Sequence, residues 1–415
     1  MAVIARQYNR NDKWTYAVVA LCLLHPCFYL LFNSNLLFLP LIITAFGSLF
    51  SFLNRRNYRL DGVGFLWMWL LCGLFIFLSC LLNHGRLLIV SASFFIGAAL
   101  LYINADKTSW IIPCLQTFSL LMLIYGVSTI LFYVFPGTYQ PFKALFFSDV
   151  AEAVDYRSGL TSHYSFNGTY IAIGLITSVS LCIFCKSGKR REVWCIASAL
   201  MAIALVLTTK RAHLLSAIAA IVLTYCLTRK SGKFTRLLFA LGLVAIFLQI
   251  GSSFVPGISE SITRLFDTIG NASSDGNLLT RGVLWRHAWS VFLDHPLFGQ
   301  GWGTFIYHWA NGETTLIAHN ELMNTLAEGG ALGAALINGL VLFSMISTLR
   351  LLKQNEESSL QGYLLSSICL QIYSVIYGYS TGTLFSYEIN FVPYLMSIAI
   401  LCACRYRIKA IQGER

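Results

Sequence analysis

The chain is short of charge. Only 11% of its 415 residues are Asp, Glu, Lys or Arg, against 57% hydrophobic, where soluble domains carry about 25% charged residues. So much apolar surface cannot be hidden in one water-soluble core, so the solvent is lipid. The alternating pattern of a membrane barrel is absent as well: the apolar stretches are continuous runs of roughly 17–24 residues, the length of spanning helices. Met1 to Trp14 is polar, and the first apolar run leads into further ones, so no cleavable signal peptide is expected. Repeats of 20–50 residues and low-complexity tracts are missing, which argues against an array or a tethered tail. No Asp-x-Asp, no HExxH, no His/Cys set at zinc spacing and no glycine-rich phosphate loop occurs, so neither metal chemistry nor ATP hydrolysis is indicated. The 12 cysteines lie in or at the ends of apolar runs, as Cys72, Cys80, Cys226 and Cys404 do. Disulfide stapling is therefore not expected, and the Cys182/Cys185 pair reads as packing.

What is present is an ordered series of spans. Hydropathy places them near residues 14–33, 35–53, 63–82, 87–104, 111–134, 168–185, 193–209, 212–228, 237–254, 331–349, 360–379 and 388–404. About twelve spans put both termini on one side. The net charge of +11 then has to be read by side, because cytoplasmic loops collect Lys and Arg; it does not point to nucleic acid. With the N-terminus inside, 21 of the 29 basic residues fall in inner segments, among them Arg6, Arg55, Lys107, Arg190, Lys233, Arg350 and Arg405. Eight remain outside: Arg86, Lys143, Arg157, Lys210, Arg211, Arg264, Arg281 and Arg286. The long outer segments, 135–167 and 255–330, hold most of them. We read 1–415 as one polytopic domain with an outer loop at 135–167 and a helical cap at 255–330.

Inside the cap, Val283, Leu284, Trp285, Ala288, Trp289 and Phe292 recur at helical spacing between Thr280 and Leu293, and His295-Pro296 with Gly299, Gly301 and Gly303 ends the pattern. A second helix is predicted from about Ala318. Leu322, Met323 and Leu326 share one face, Asn320, Glu321, Asn324 and Glu328 lie elsewhere, and Gly329-Gly330 breaks it before the tenth span. Such helices can rest on the bilayer and cover a site reached from lipid.

The outer cations carry the chemical signal. Arg211 lies in the run Leu207-Thr-Thr-Lys-Arg-Ala-His-Leu214, a turn between two spans with almost no loop. Such a turn suits a fixed anion, and snorkelling to headgroups is the alternative, more so for Lys210. Arg281 opens the predicted cap helix, whose positive dipole end repels it unless an anion sits beside it. Arg157 is a third contact or the partner of Asp149, Glu152 or Asp155. His319, with the ordinary imidazole pKa, is a candidate base, although composition does not rank it above His163, His213, His287, His295 or His308. Arginine can neutralise phosphate through charge-assisted bidentate bonds.

These residues resemble the O-antigen ligase and polymerase superfamily, best over Leu279–Gly333. The features are Arg281 with Trp285, then His295-Pro-Leu-Phe-Gly-Gln-Gly-Trp-Gly-Thr-Phe305, then His319-Asn-Glu-Leu322 leading to Gly329-Gly330. The Thr209–Ala212 turn and Arg157-Ser-Gly-Leu with Asn167-Gly168 resemble two further family stretches, and Lys210 departs from the pattern. The resemblance implies an all-α integral membrane glycosyltransferase of the GT-C type that is metal-independent and inverting and needs no cofactor. It would take glycan from undecaprenyl pyrophosphate and join it to a hydroxyl of lipid A-core at the periplasmic face of the bacterial inner membrane. His319 matches the family's proposed base, and Arg211 and Arg281 match the arginines proposed to hold pyrophosphate, with Lys210 and Arg157 as further contacts. The partners expected are that donor, that acceptor and membrane lipid. A polymerase or a protein glycan transferase of the same superfamily, or a lipid-linked glycan transporter, are the alternatives.

Overall fold

In the computed structural model the described residues are 64–104, 108–147, 153, 155–184, 188–228, 276–355 and 358–412. The expected spans at 14–33, 35–53 and 237–254 lie outside them, as do Lys107, Asp149, Glu152, Cys185, Arg264 and cap residues 255–275. Each of the other expected spans coincides with a helix. These are α1 (Gly64–Leu82), α2 (Leu88–Asn104), α3 (Ile111–Val134), α5 (Tyr164–Phe184), α6 (Gly188–Leu207), α7 (Arg211–Cys226), α9 (Glu321–Gln354), α10 (Ser358–Thr381) and α11 (Glu388–Gln412). Short α4 (Tyr139–Phe146) and the longer α8 (Gly276–Asp294) fall in the segments 135–167 and 255–330, and Tyr307–His308 (β1) pairs antiparallel with Thr314–Thr315 (β2). By length and composition, segments of five helices, α3, α5, α9, α10 and α11, can cross a membrane. The protein is a multi-pass membrane protein.

Helix α1 shows how the sequence chooses its surfaces. Trp69, Cys72, Ile76 and Cys80 form a buried stripe, while Trp67, Leu71, Leu74, Leu78 and Leu82 stay exposed on the opposite face. A helix apolar on both faces is stable only where one of them meets lipid. Inside, small and polar residues set the packing, as is usual when lipid leaves no hydrophobic drive between helices. A Cβ on Gly174 of α5 would lie 2.4 Å from Met122 Cβ of α3 and 2.5 Å from Met201 Sδ of α6. Gln371 Nε2 on α10 donates to Thr348 Oγ1 on α9, and Ser367 Oγ donates to the Ser397 carbonyl on α11. Cys182 faces Cys195 of α6 across the hairpin, both thiols free.

The turn after α8 and the break in α9 are two halves of one clasp. Gly330 leaves helical geometry (φ 62°, ψ −167°), and the Ala331 and Leu332 N–H groups beyond it donate to the carbonyls of Pro296 and Leu297. Gln300 and Gly301 N–H in turn donate to the Ala327 and Glu328 carbonyls. Backbone runs against backbone: a Cβ on Gly330 would lie 2.4 Å from the Leu297 carbonyl, and one on Gly299 (φ +70°) would lie 2.3 Å from that of Glu328. Glycine is thus required on both sides. Glu328 Oε1 accepts the Phe305 N–H at 2.9 Å, and Arg86 pins the same loop by donating to the carbonyls of Gly303, Phe305 and Leu316.

Candidate active site

The turn between α6 and α7 is strained and fixed. Thr209 has φ +56°, a region β-branched residues rarely enter and one that persists only where the surroundings enforce it. Lys210 follows in extended geometry, and its N–H lies 3.4 Å from Thr208 Oγ1. Its Nζ stands 3.5 Å from the centroid of the Tyr164 ring at the start of α5. The long side chain is thus docked on an aromatic face. Arg211 is half-buried as the first residue of α7, so two successive cations sit where the helix dipole already presents positive charge. Two residues on, His213 is 1% exposed. Its ring stacks on Tyr377 at 4.1 Å, with Nδ1 3.1 Å from the Tyr373 hydroxyl. Gly168 makes room for it, since a Cβ there would lie 2.6 Å from His213 Cδ2.

Arg157 is held differently. Its Nη2 lies 2.6 Å from Asp155 Oδ2 and its Nε donates to the same carboxylate, so Asp155 is the acidic partner found among the described residues. Asn167, buried at the start of α5, donates to the Arg157 carbonyl and to Thr129 Oγ1 of α3. Gly159 (φ +53°) fits against that amide, where a Cβ would approach its Nδ2 to 2.7 Å. The Arg157-Gly159-Asn167 pattern is therefore a loop anchor.

His319 precedes the N-cap of α9. Asn320 Oδ1 accepts the Met323 N–H, ending the extended approach as a capping residue does, and His319 itself has φ +52°. Its half-buried imidazole is hydrogen-bonded to the backbone at Thr381, the last residue of α10, and lies within electrostatic reach of Arg281. Burial first and the Arg281 guanidinium second hold its pKa below the ordinary value, while the bond to Thr381 opposes them. A neutral ring with one nitrogen bonded leaves the other as an acceptor, the state a general base requires.

Arg281 does not open its helix. Helix α8 is described from Gly276, so it is already helical four residues before Thr280. The guanidinium therefore sits in the second turn, where the dipole effect has faded, and the case for an anion beside it rests on its proximity to His319. Trp285, one turn on, packs with Ala288, Phe305, Ala318 and Ala327 and docks α8 next to His319.

One stripe of α10 joins these stations. Tyr373 and Tyr377 face His213, and Thr381 meets His319; a step of four residues rises about 6 Å. The Lys210-Arg211 turn and the His319-Arg281 pair therefore lie at the same end of the helices, and Arg157 joins them through Asn167-Gly168 and His213. The loops at this end also meet one another: Arg86 bonds the 303–316 segment, Gly168 lies against His213, and Gly382 lies against His319. The other candidate histidines have structural partners or none of this setting. His163 Nδ1 accepts the Ser165 N–H, His287 bonds the Ile306 carbonyl, His308 contacts Thr314 Oγ1, and His295 is exposed on a turn. Sequence reasoning did not single out Asn324, Glu328 or Arg86 as fasteners of this region. Their signal was polar side chains beside an apolar helix and a basic residue on the wrong side.

No curated protein matches the chain. Residues 196–337 match the O-antigen ligase family model; they include Lys210, Arg211, Arg281, His319 and both halves of the glycine clasp, while Arg157 lies upstream. That match supports the resemblance of this multi-pass membrane protein to the O-antigen ligase superfamily.

Proposed function

We propose that the protein is an O-antigen ligase: it transfers polysaccharide from undecaprenyl pyrophosphate to a hydroxyl of lipid A-core on the periplasmic face of the inner membrane. The observation that carries this reading is the half-buried, neutral-leaning His319 beside Arg281, at the helix end that also carries Lys210 and Arg211. His319 takes the proton of the acceptor hydroxyl as its oxygen attacks the anomeric carbon. The bond from that carbon to the pyrophosphate oxygen breaks, undecaprenyl pyrophosphate leaves, and direct displacement inverts the centre. Arg211 and Arg281 neutralise the charge gathering on the leaving diphosphate, the kind of electrostatic help worth most where water is scarce. Lys210 adds charge from its seat on Tyr164. Arg157 reaches the donor only by exchanging Asp155 for phosphate, which makes its part secondary.

The transporter alternative asks for charge near the middle of discontinuous spans. Among the described residues the buried carboxylates sit instead near helix heads: Glu321 and Glu328 before the Gly330 break, and Glu388 at the start of α11. The ligase reading is tested by deleting the gene and resolving lipopolysaccharide on a gel. Full-length lipid-linked glycan accumulating unattached is expected; lipid A-core carrying a single repeat unit would make the protein a polymerase.

A further inference from the structure

The bond between His319 and the Thr381 backbone is bracketed by one buried amide. Asn324 is 3% exposed in the second turn of α9. Its Oδ1 accepts the N–H of Ala318 at 2.6 Å, and its Nδ2 donates to the carbonyl of Gly382 at 2.8 Å. Ala318 is the residue before His319, and Gly382 is the residue after Thr381. The two segments that must meet for the imidazole to be held are thus tied to the same side chain. Gly382 itself (φ +67°) allows the approach: a Cβ there would lie 2.7 Å from Asn324 Nδ2, 2.7 Å from the Asn320 nitrogen and 3.2 Å from His319 Cα. The far side of the turn is also fixed, because Glu321 Oε2 accepts the Leu384 N–H at 2.9 Å and Phe385 packs into the aromatic cluster of Trp69, Phe94 and Tyr394. A packing role alone explains neither polar atom, since asparagine is a poor helix former and a buried amide costs stability unless both ends are bonded. Nor does an N-cap role, which Asn320 already fills.

We propose that Asn324 is a positioning residue that clamps the Ala318–His319 backbone to the Thr381–Gly382 turn, so that the imidazole keeps one nitrogen bonded and turns the other toward the acceptor hydroxyl. This rests on His319 being the base. Asparagine alone supplies the pair of bonds at this length: aspartate keeps the acceptor for Ala318 but sets a second acceptor against the Gly382 carbonyl, and alanine loses both.

The test uses the full chain in lipid, with Asn324→Ala, the isosteric Asn324→Asp and, on the facing turn, Gly382→Ala. Two quantities are read: kcat and KM for the lipid-linked donor, and the rate at which diethyl pyrocarbonate modifies His319, mapped by peptide mass spectrometry with exposed His295 as the internal reference. We expect kcat to fall roughly 10- to 100-fold, the range of a small misplacement of a catalytic group, with KM changed less than about twofold. His319 modification should rise several-fold in all three variants while His295 is unaffected. Unchanged His319 modification in Asn324→Asp and Gly382→Ala would overturn the inference. If the wild type transfers nothing, the base reading fails, and the modification rates still decide whether Asn324 holds the ring.

Discussion

His213 and His319 are two imidazoles served by the same helix, α10, and they are handled in opposite ways. His213 is sealed beneath Gly168, stacked on Tyr377 and bonded to Tyr373. His319 is half-buried, sits in a left-handed backbone conformation and shares its surroundings with Arg281. A ring with both faces occupied can only hold helices together, whereas a ring bonded on one nitrogen and open on the other can exchange a proton. The contrast shows why residue type alone did not rank the histidines: the decision lies in the partners, which come from α5 and α10, far away in sequence.

The largest effect that separates the two is on turnover. His319→Ala should lower transfer by about 10³-fold or more, within the usual range for a general base, with normal membrane insertion and an unchanged melting temperature. Arg211→Ala and Arg281→Ala should come next, at about 10²-fold each, since an electrostatic donor to a developing anion contributes on that scale. Inserted, folded variants that still transfer would remove these arginines from the mechanism. His213→Ala should act on stability, with a loss of about 2–3 kcal/mol from the cavity and lost bond, seen as a lower melting temperature in detergent. Turnover of the molecules that remain folded should be near wild type, and a turnover defect at normal stability would contradict the division between the two rings.

The pH profile sharpens the comparison further. Because burial and Arg281 lower the His319 pKa, the base stays neutral through pH 7, and kcat should fall only as pH drops below the ordinary imidazole range. Removing the guanidinium raises that pKa, so the acid limb of Arg281→Gln should move toward neutral pH; a limb that stays put or moves the other way would show that the two groups are not coupled. The smallest effect is expected at Lys210→Ala. Loss of a cation docked on a ring corresponds to about 1–2 kcal/mol, so part of the transfer activity should survive.

Much of the helical frame was legible in the sequence because lipid imposes a simple rule: an uncharged run of spanning length is a helix, and its ends are marked by Arg and Lys. The runs at 111–134 and 360–379 therefore match α3 and α10 closely. The break at Gly329-Gly330 was legible too, but its reason was not. Gly330 is required by the Leu297 carbonyl some thirty residues earlier, a contact that no local pattern encodes. Arg281 shows the opposite failure, since the apolar stripe that located α8 said nothing about where its first turn begins. The sequence around Arg157 offers it both an anion and an acidic neighbour, and only geometry pairs it with Asp155. Asn324 was visible as a polar residue off the apolar face, while one of its two partners, the Gly382 carbonyl, is supplied by the turn that follows α10.

The most direct measurement is reconstitution of the full chain in vesicles with undecaprenyl-pyrophosphate glycan and lipid A-core, in chelator and without nucleotide, comparing wild type with His319→Ala. The account predicts conjugate from the wild type and none from the variant. Flux of the donor across the vesicle with no conjugate formed, or equal conjugate from both proteins, would contradict it.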